Sequence, residues 1–258
     1  MAADEEAAVR TEAEGPVLVI TINRPGARNA VNRLVAEGMA AALLRLDTDP
    51  DLAVGIVTGA GKGFSAGMDL KAFASGEFPV AGDRGFAGIV VKGASKPLIA
   101  AVEGFALAGG LEIALACDII VAARDARLGI PEVGVGLFAG AGALWRLPRR
   151  VGLGQTNLLA LTGKPIDAEE AHRIGLVDRL AEPGAALDAA KELAGVIAAN
   201  APLALAVSKR VVDEGFTKGS DEFWNWQGSL MSQVFGSKDA LEGARAFAEK
   251  RPPRWEGA

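Results

Sequence analysis

The chain has 258 residues, half of them apolar and 23% charged, with a net charge of −5. That describes a soluble globular chain with one sizeable domain, and nothing in the charge draws it to nucleic acid or an anionic membrane. One cysteine, Cys117, leaves no disulfide framework and no cysteine-based zinc site, and one histidine, His172, removes most other metal arrangements.

The first fifteen residues, "MAADEEAAVRTEAEG", are acidic and lack an apolar core, so they are not expected to act as a signal peptide. Residues 1–14 are expected to form a mobile segment, and a reducing, cytoplasmic setting is expected for the whole. "GPVLVITINRP" alternates and is β-branched, which predicts a first strand. "NAVNRLVAEGMAAALLRLDTDP" predicts a helix capped by Asn29 or Asn32 and stopped before Pro50. "LAVGIVTGAG", "KPLIAAVEG" and "DIIVAA" predict buried strands, and "AGGLEIALACD" a short buried helix. From about residue 140 the spacing turns helical, in "GAGALWRLPRRVG", "GQTNLLALTG", "DAEEAHRIG", "ALDAAKELAGVIAAN", "PLALAVSKRVVDEG", "SDEFWNWQGSLMSQVF" and "KDALEGARAFAEKR". The fold class is α/β with largely parallel pairing and a helical C-terminal part.

"GAGKGFSAG" invites two motif matches. A phosphate loop fails, because Ile56 stands where its first glycine belongs and Gly63 where its Ser or Thr belongs. The nucleophile elbow passes on letters, as Gly63-Phe64-Ser65-Ala66-Gly67, and His172 follows in the order of a hydrolase triad. Against it, four Gly-rich residues separate the elbow from its strand, no HGGG-like segment follows, and His172 lies in a polar helix.

Two carboxylates carry a stronger signal. Glu112 is the one charge in "GFALAGGLEIALAC", and Glu132 is the one charge from Leu128 to Trp145. Either glutamate alone reads most simply as a solvated end of its element. Two of them in apolar, Gly-rich surroundings suit one pocket, where burial and mutual repulsion raise a carboxyl pKa toward neutrality for acid–base work. Gly109 and Gly110 open the short helix and bring unpaired N–H groups and the positive end of its dipole to the same place.

With these residues in view, the chain resembles the enoyl-CoA hydratase (crotonase) family. The resemblance rests on "GKGFSAGMDLK", "KPLIAAVEGFALAGGLEIALACDIIVAA", "ARLGIPEVGVGL", "RLPRRVG", "LTGKPIDAEEAHRIGLVD" and "EGARAFAEKRPPRW", in that order from about Gly15 to Trp255. It implies a crotonase-like core of repeated ββα units over 15–195. It also implies a C-terminal helical region over 196–258 that mediates trimers, often paired as a dimer of trimers. The reaction implied is reversible syn hydration of a trans-2-enoyl-CoA. Its oxyanion hole would be the N–H groups of Met68 and Gly109, and its acid–base pair Glu112 and Glu132. CoA would be held at Arg28, at Ala66, Asp69, Leu70 and Lys71, and at Phe247 with Lys250, the last two reaching a neighbouring subunit. No metal or redox cofactor is implied, since CoA arrives with the substrate.

The chain departs from the family pattern at Met68, at "FAGAGALW" and at Met231, and "ASGEFPVAGDRGFAGIV" (74–90), which the resemblance places in the acyl-specificity region, matches no assigned element. Isomerase or carnitinyl-CoA dehydratase-like chemistry and a catalytically silent acyl-CoA-binding member stand as alternatives, with the Ser65 hydrolase the remotest.

Overall fold

Strand β1 (Val9–Glu14) opens the described part of the chain and runs antiparallel to β2 (Val17–Ile22). The computed structural model describes residues 7–257. The mobile segment expected over 1–14 is therefore corrected for Val9–Glu14, while residues 1–6 lie outside the described residues. The sequence of this strand, VRTEAE, is charged and lacks apolar alternation, and the strand is mostly exposed. Edge strands carry such charges to discourage pairing with other chains.

Helix α1 (Arg33–Thr48) follows, capped by the Asn32 side chain, which accepts from the Val35 N–H. Beyond it come β3 (Val54–Gly59), a short α2 (Leu70–Ala74), β4 (Leu98–Val102), β5 (Phe105–Leu107) and α3 (Gly109–Leu115). Then come β6 (Ile119–Ala123), β7 (Arg127–Gly129), a 3-10 turn at Pro131–Val135, and α4 (Ala143–Thr162). The two helical runs predicted across α4 meet at Gly152, whose φ of 75° breaks the helical path. The chain closes with β8 (Ile166–Asp167), α5 (Ala168–Arg173), β9 (Arg179–Ala181), α6 (Ala186–Ala198), α7 (Pro202–Gly215), α8 (Ser220–Phe235) and α9 (Lys238–Glu249).

The main sheet has the order β1-β2-β3-β4-β6-β9, parallel from β2 onward. A smaller sheet, β5-β7-β8, pairs β5 with β7 in parallel, and a single bridge from Ser65 to Ala106 extends it. The repeat is plain in this arrangement. A main-sheet strand leads to a short partner in the second sheet and then to a helix, as β3–Ser65–α2, β4–β5–α3 and β6–β7–α4. The last two strands of the main sheet, β6 and β9, are each preceded by an aspartate that ties them to their neighbour: Asp118 accepts from the Leu98 N–H and Asp178 from the Ile120 N–H. Continuous apolar strands such as β4, buried at every residue, fit a sheet covered on both faces.

Helix α6 packs on the main sheet and belongs to this core. Helices α7, α8 and α9 pack on one another in sequence, and among them only Leu230, Asp239 and Ala246 are buried. Among the described residues no single helix is long and apolar enough to cross a membrane.

Candidate active site

The second sheet delivers its strands to one small region. Ser65 and Ala106 lie side by side, Leu107 donates to the Ser65 carbonyl, and Ala108 donates to the Gly129 carbonyl. Ala108 then turns the chain from β5 into α3 with φ 51° and ψ −128°, a conformation alanine rarely adopts and one that costs about 1–3 kcal/mol. The backbones here leave no room for side chains. A Cβ on Gly67 would lie 2.7 Å from the Gly109 nitrogen, and one on Gly110 would lie 2.2 Å from the Ser65 carbonyl oxygen. Glycine is required at both positions on contact alone.

Met68 and Gly109 are thereby held together at one cavity. Met68 bridges Val31 in parallel, with bonds running from Val31 N–H to Gly67 O and from Asp69 N–H to Val31 O. In such a ladder the N–H of the residue between faces away from its partner. The Gly109 N–H opens α3, where the first-turn donors have no partner within the helix.

Glu112 sits one turn further along α3 and is 3% exposed. Its Oε1 accepts from the N–H groups of Ala141 (2.7 Å) and Ala143 (3.1 Å) at the entry to α4. Burial raises its pKa, while those two N–H groups and the Arg146 charge pull the other way. Glu132, in the 3-10 turn after β7, faces the same cavity. Its Oε2 is buried with no hydrogen-bond partner among the described residues. Burial, with a smaller push from the Glu112 charge, raises its pKa to about 7, although a backbone N–H bond opposes the shift. Near neutral pH, then, Glu132 holds a proton about half the time, whereas Glu112 is clamped by donors on one oxygen. The two carboxylates read from the sequence do share one pocket, in different electrostatic settings.

The cavity has a volume of about 600 Å³. Residues 73–91 supply most of one wall, through Phe73, Phe78, Val80, Phe86, Val90 and Val91, and Leu137 and Phe138 supply another. This segment follows neither helical nor strand periodicity, so its pattern does not show which of its side chains turn inward. Arg146 was missed too: it donates from Nη2 to the Val90 carbonyl at 2.6 Å and places its charge beside Glu112.

The residues expected to hold CoA divide into two groups. Arg28 and Ala66 are joined by a bond from the Ala66 N–H to the Arg28 carbonyl, and the Arg28 guanidinium lies over the Phe105 ring. Asp69, Leu70 and Lys71 follow Met68 directly in the chain, at the start of α2. Asp69 has a structural task of its own: it caps α2 and pairs with Arg24 at 2.9 Å. Phe247 and Lys250 lie elsewhere, at the end of α9, with Phe247 88% exposed, and neither lines the cavity of its own chain.

Ser65 offers no nucleophile. It is fully buried, and its hydroxyl donates to the Asn29 carbonyl and accepts from the Gly67 N–H. His172 spends its Nδ1 on the Val177 carbonyl at 2.9 Å. The hydrolase reading is set aside.

The comparisons with known proteins converge. Residues 12–258 match the family described as enoyl-CoA hydratase/isomerase. The solved structure of enoyl-CoA hydratase EchA1 from Mycobacterium marinum is 55% identical, covers 98% of this chain and 100% of its own, and superposes with a TM-score of 0.96. Carnitinyl-CoA hydratase from Mycobacterium avium is 40% identical with a TM-score of 0.78, covering 98% of this chain and 100% of its own. A curated relative, carnitinyl-CoA dehydratase of Salmonella arizonae, is 43% identical over 96% of this chain and 98% of its own length. The chain belongs to the enoyl-CoA hydratase/isomerase family, whose members act on acyl-CoA thioesters.

Proposed function

We propose that the protein catalyses reversible syn addition of water to a trans-2-enoyl-CoA, giving the 3-hydroxyacyl-CoA. The observation that carries this reading is the pairing of Glu112 and Glu132 in one cavity beside the Met68 and Gly109 N–H groups. The thioester oxygen binds between those two N–H groups, which stabilise the negative charge that develops on it. Loss of one such donor costs roughly 3 kcal/mol, or 10²–10³ in rate. Glu112, fixed through Oε1, orients the water. Glu132 gives its proton to C2 while the water oxygen bonds to C3, and the proton that the water loses returns to Glu132. The net result is addition of H and OH with both carboxyl groups restored. The reading uses no group beyond the CoA that the substrate carries. Arg28, the 66–71 segment and, from a neighbouring copy, Phe247 and Lys250 hold that CoA.

Assembly belongs to the same proposal. Val212, Phe216, Trp224, Phe235 and Phe247 on α7–α9 are all more than 60% exposed, an apolar area that a homotrimer or a dimer of trimers would cover. Light scattering should give a trimer or hexamer mass, and a monomer at micromolar concentration would contradict it.

A second reading, dehydration of a carnitinyl-type 3-hydroxyacyl-CoA, is favoured by the names of the curated relatives. It runs the same chemistry backwards on a different acyl group. The deciding experiment is loss of the conjugated thioester's ultraviolet absorbance with crotonyl-CoA or a longer enoyl-CoA. Absence of turnover with every enoyl-CoA tried would reject hydration.

A further inference from the structure

The space beside the two glutamates exceeds what the reacting atoms require. At about 30 Å³ per water-sized group, a cavity of about 600 Å³ accommodates roughly 20 such groups. A four-carbon acyl group would leave most of it to water. Water would be poorly served there, because Glu112 and Glu132 are the only hydrogen-bonding side chains in the lining. All other lining side chains are apolar.

The apolar surface is graded from floor to rim. At the floor, the Phe86 ring presses on Gly109, so closely that a Cβ on that glycine would lie 2.6 Å from it. Val90 is buried, and its carbonyl is tied to Arg146. At the rim, Phe78 (65%), Val80 (48%), Val91 (74%) and Phe138 (71%) are exposed. This rim is a built wall. Phe73 and Phe78 meet edge to face at 5.4 Å, the Ala87 N–H donates to the Pro79 carbonyl, and Val80 bridges Phe86. The Arg33 N–H donates to Glu77 at 2.7 Å, pinning the tip of the wall to α1.

We propose that the acyl group beyond C3 is large and apolar, a medium- to long-chain trans-2-enoyl group that runs from the glutamates to the Phe78–Val80–Val91–Phe138 rim. The proposal rests on the hydratase reading and adds the substrate class to it. A carnitinyl-type group would leave most of this cavity empty. Its trimethylammonium lies one carbon past C3, close to Glu112 and Glu132, so the Phe78–Val80–Val91–Phe138 rim stays unfilled.

The test compares kcat/KM for crotonyl-CoA, trans-2-dodecenoyl-CoA and a trimethylammonium-bearing enoyl-CoA on the full protein. Each methylene that leaves water should raise kcat/KM by about fourfold over the first few carbons, so the twelve-carbon substrate should exceed crotonyl-CoA by about 10² or more. The double variant Phe78→Ser/Val80→Ser, at exposed positions, should lower that long-to-short ratio by about tenfold. Preference for crotonyl-CoA or for the trimethylammonium substrate would overturn the proposal while leaving hydration intact. So would a double variant that changes the mass seen by light scattering and not the ratio, since the rim would then be covered by a second copy. Should no enoyl-CoA turn over, the hydratase reading fails, and calorimetry with saturated acyl-CoAs still decides the cavity's occupant. Dodecanoyl-CoA binding about tenfold or more tighter than acetyl-CoA supports the apolar chain, and equal binding rejects it.

Discussion

The floor of the cavity and its outer wall both turn on close backbone contacts, but they present different groups. Around Gly67, Gly109 and Gly110 the backbones touch, Ala108 is strained, and Glu112 is clamped by two N–H groups, so donors and carboxylates face the cavity. The wall at 73–91, tied by its own backbone bonds and to Arg146 and α1, shows phenylalanine and valine to solvent. Chemistry needs donors and carboxylates fixed to fractions of an ångström, and glycine contacts with buried charges supply that. Selectivity for an apolar chain needs only area of the right shape. Changes at the floor should therefore alter rate, and changes at the wall should alter which substrate is preferred.

The largest effects are expected at the glutamates. Glu112→Gln and Glu132→Gln should each lower kcat by about 10²–10⁴ with little change in substrate Kd, and the double variant should lose far less than the product. Steady-state kinetics with a binding isotherm checks this. Near-normal turnover in either variant would make that carboxylate structural.

Next comes the glycine floor. Gly67→Ala asks alanine to adopt φ +89° with its Cβ 2.7 Å from the Gly109 nitrogen, so the Met68 and Gly109 N–H groups must separate. The rate should fall by about 10²–10³, the effect of losing one oxyanion donor. Wild-type kcat in a folded Gly67→Ala protein would place the thioester oxygen elsewhere.

The smallest effect is on stability, and its sign follows from linkage. Burial raises the Glu132 pKa from 4.5 to about 7, so between those values the folded state holds a proton that the unfolded state has lost. Stability falls as pH rises through that window. Glu132→Gln cannot titrate. It should raise Tm relative to wild type at pH 8 and lose that advantage near pH 4.5, as calorimetric melts at the two pH values would reveal. An equal Tm difference at both values would mean that Glu132 is not held in a desolvated site.

The residues of the cavity floor were legible in the sequence, and the shape of the wall was not. Glu112 and Glu132 stand out as lone charges in apolar, Gly-rich runs, and β2, β3, β4, β6, α1 and α3 announce themselves by β-branching, alanine content and an asparagine cap. Strand β1 was lost because an edge strand keeps its charges, and β5, β7, β8 and β9 because two or three residues carry no period. The wall has no pattern to read: it turns on Gly85, Ala87 and Gly88, all at positive φ, and Gly88 fits against the Ala36 carbonyl where any Cβ would collide. Arg146 sits in a predicted helix among other arginines, and only the fold shows that its partner is the Val90 carbonyl.

In the proposed mechanism Glu132 carries the proton that reaches C2, and the pH dependence of hydration tests that most directly. If Glu132 is the donor, kcat/KM for enoyl-CoA hydration falls about tenfold per pH unit above an apparent pKa near 7, the value set by burial and the Glu112 charge. That limb should be missing from the residual activity of Glu132→Gln. A wild-type profile that stays flat to pH 9, or one whose limb survives in Glu132→Gln, would contradict the assignment.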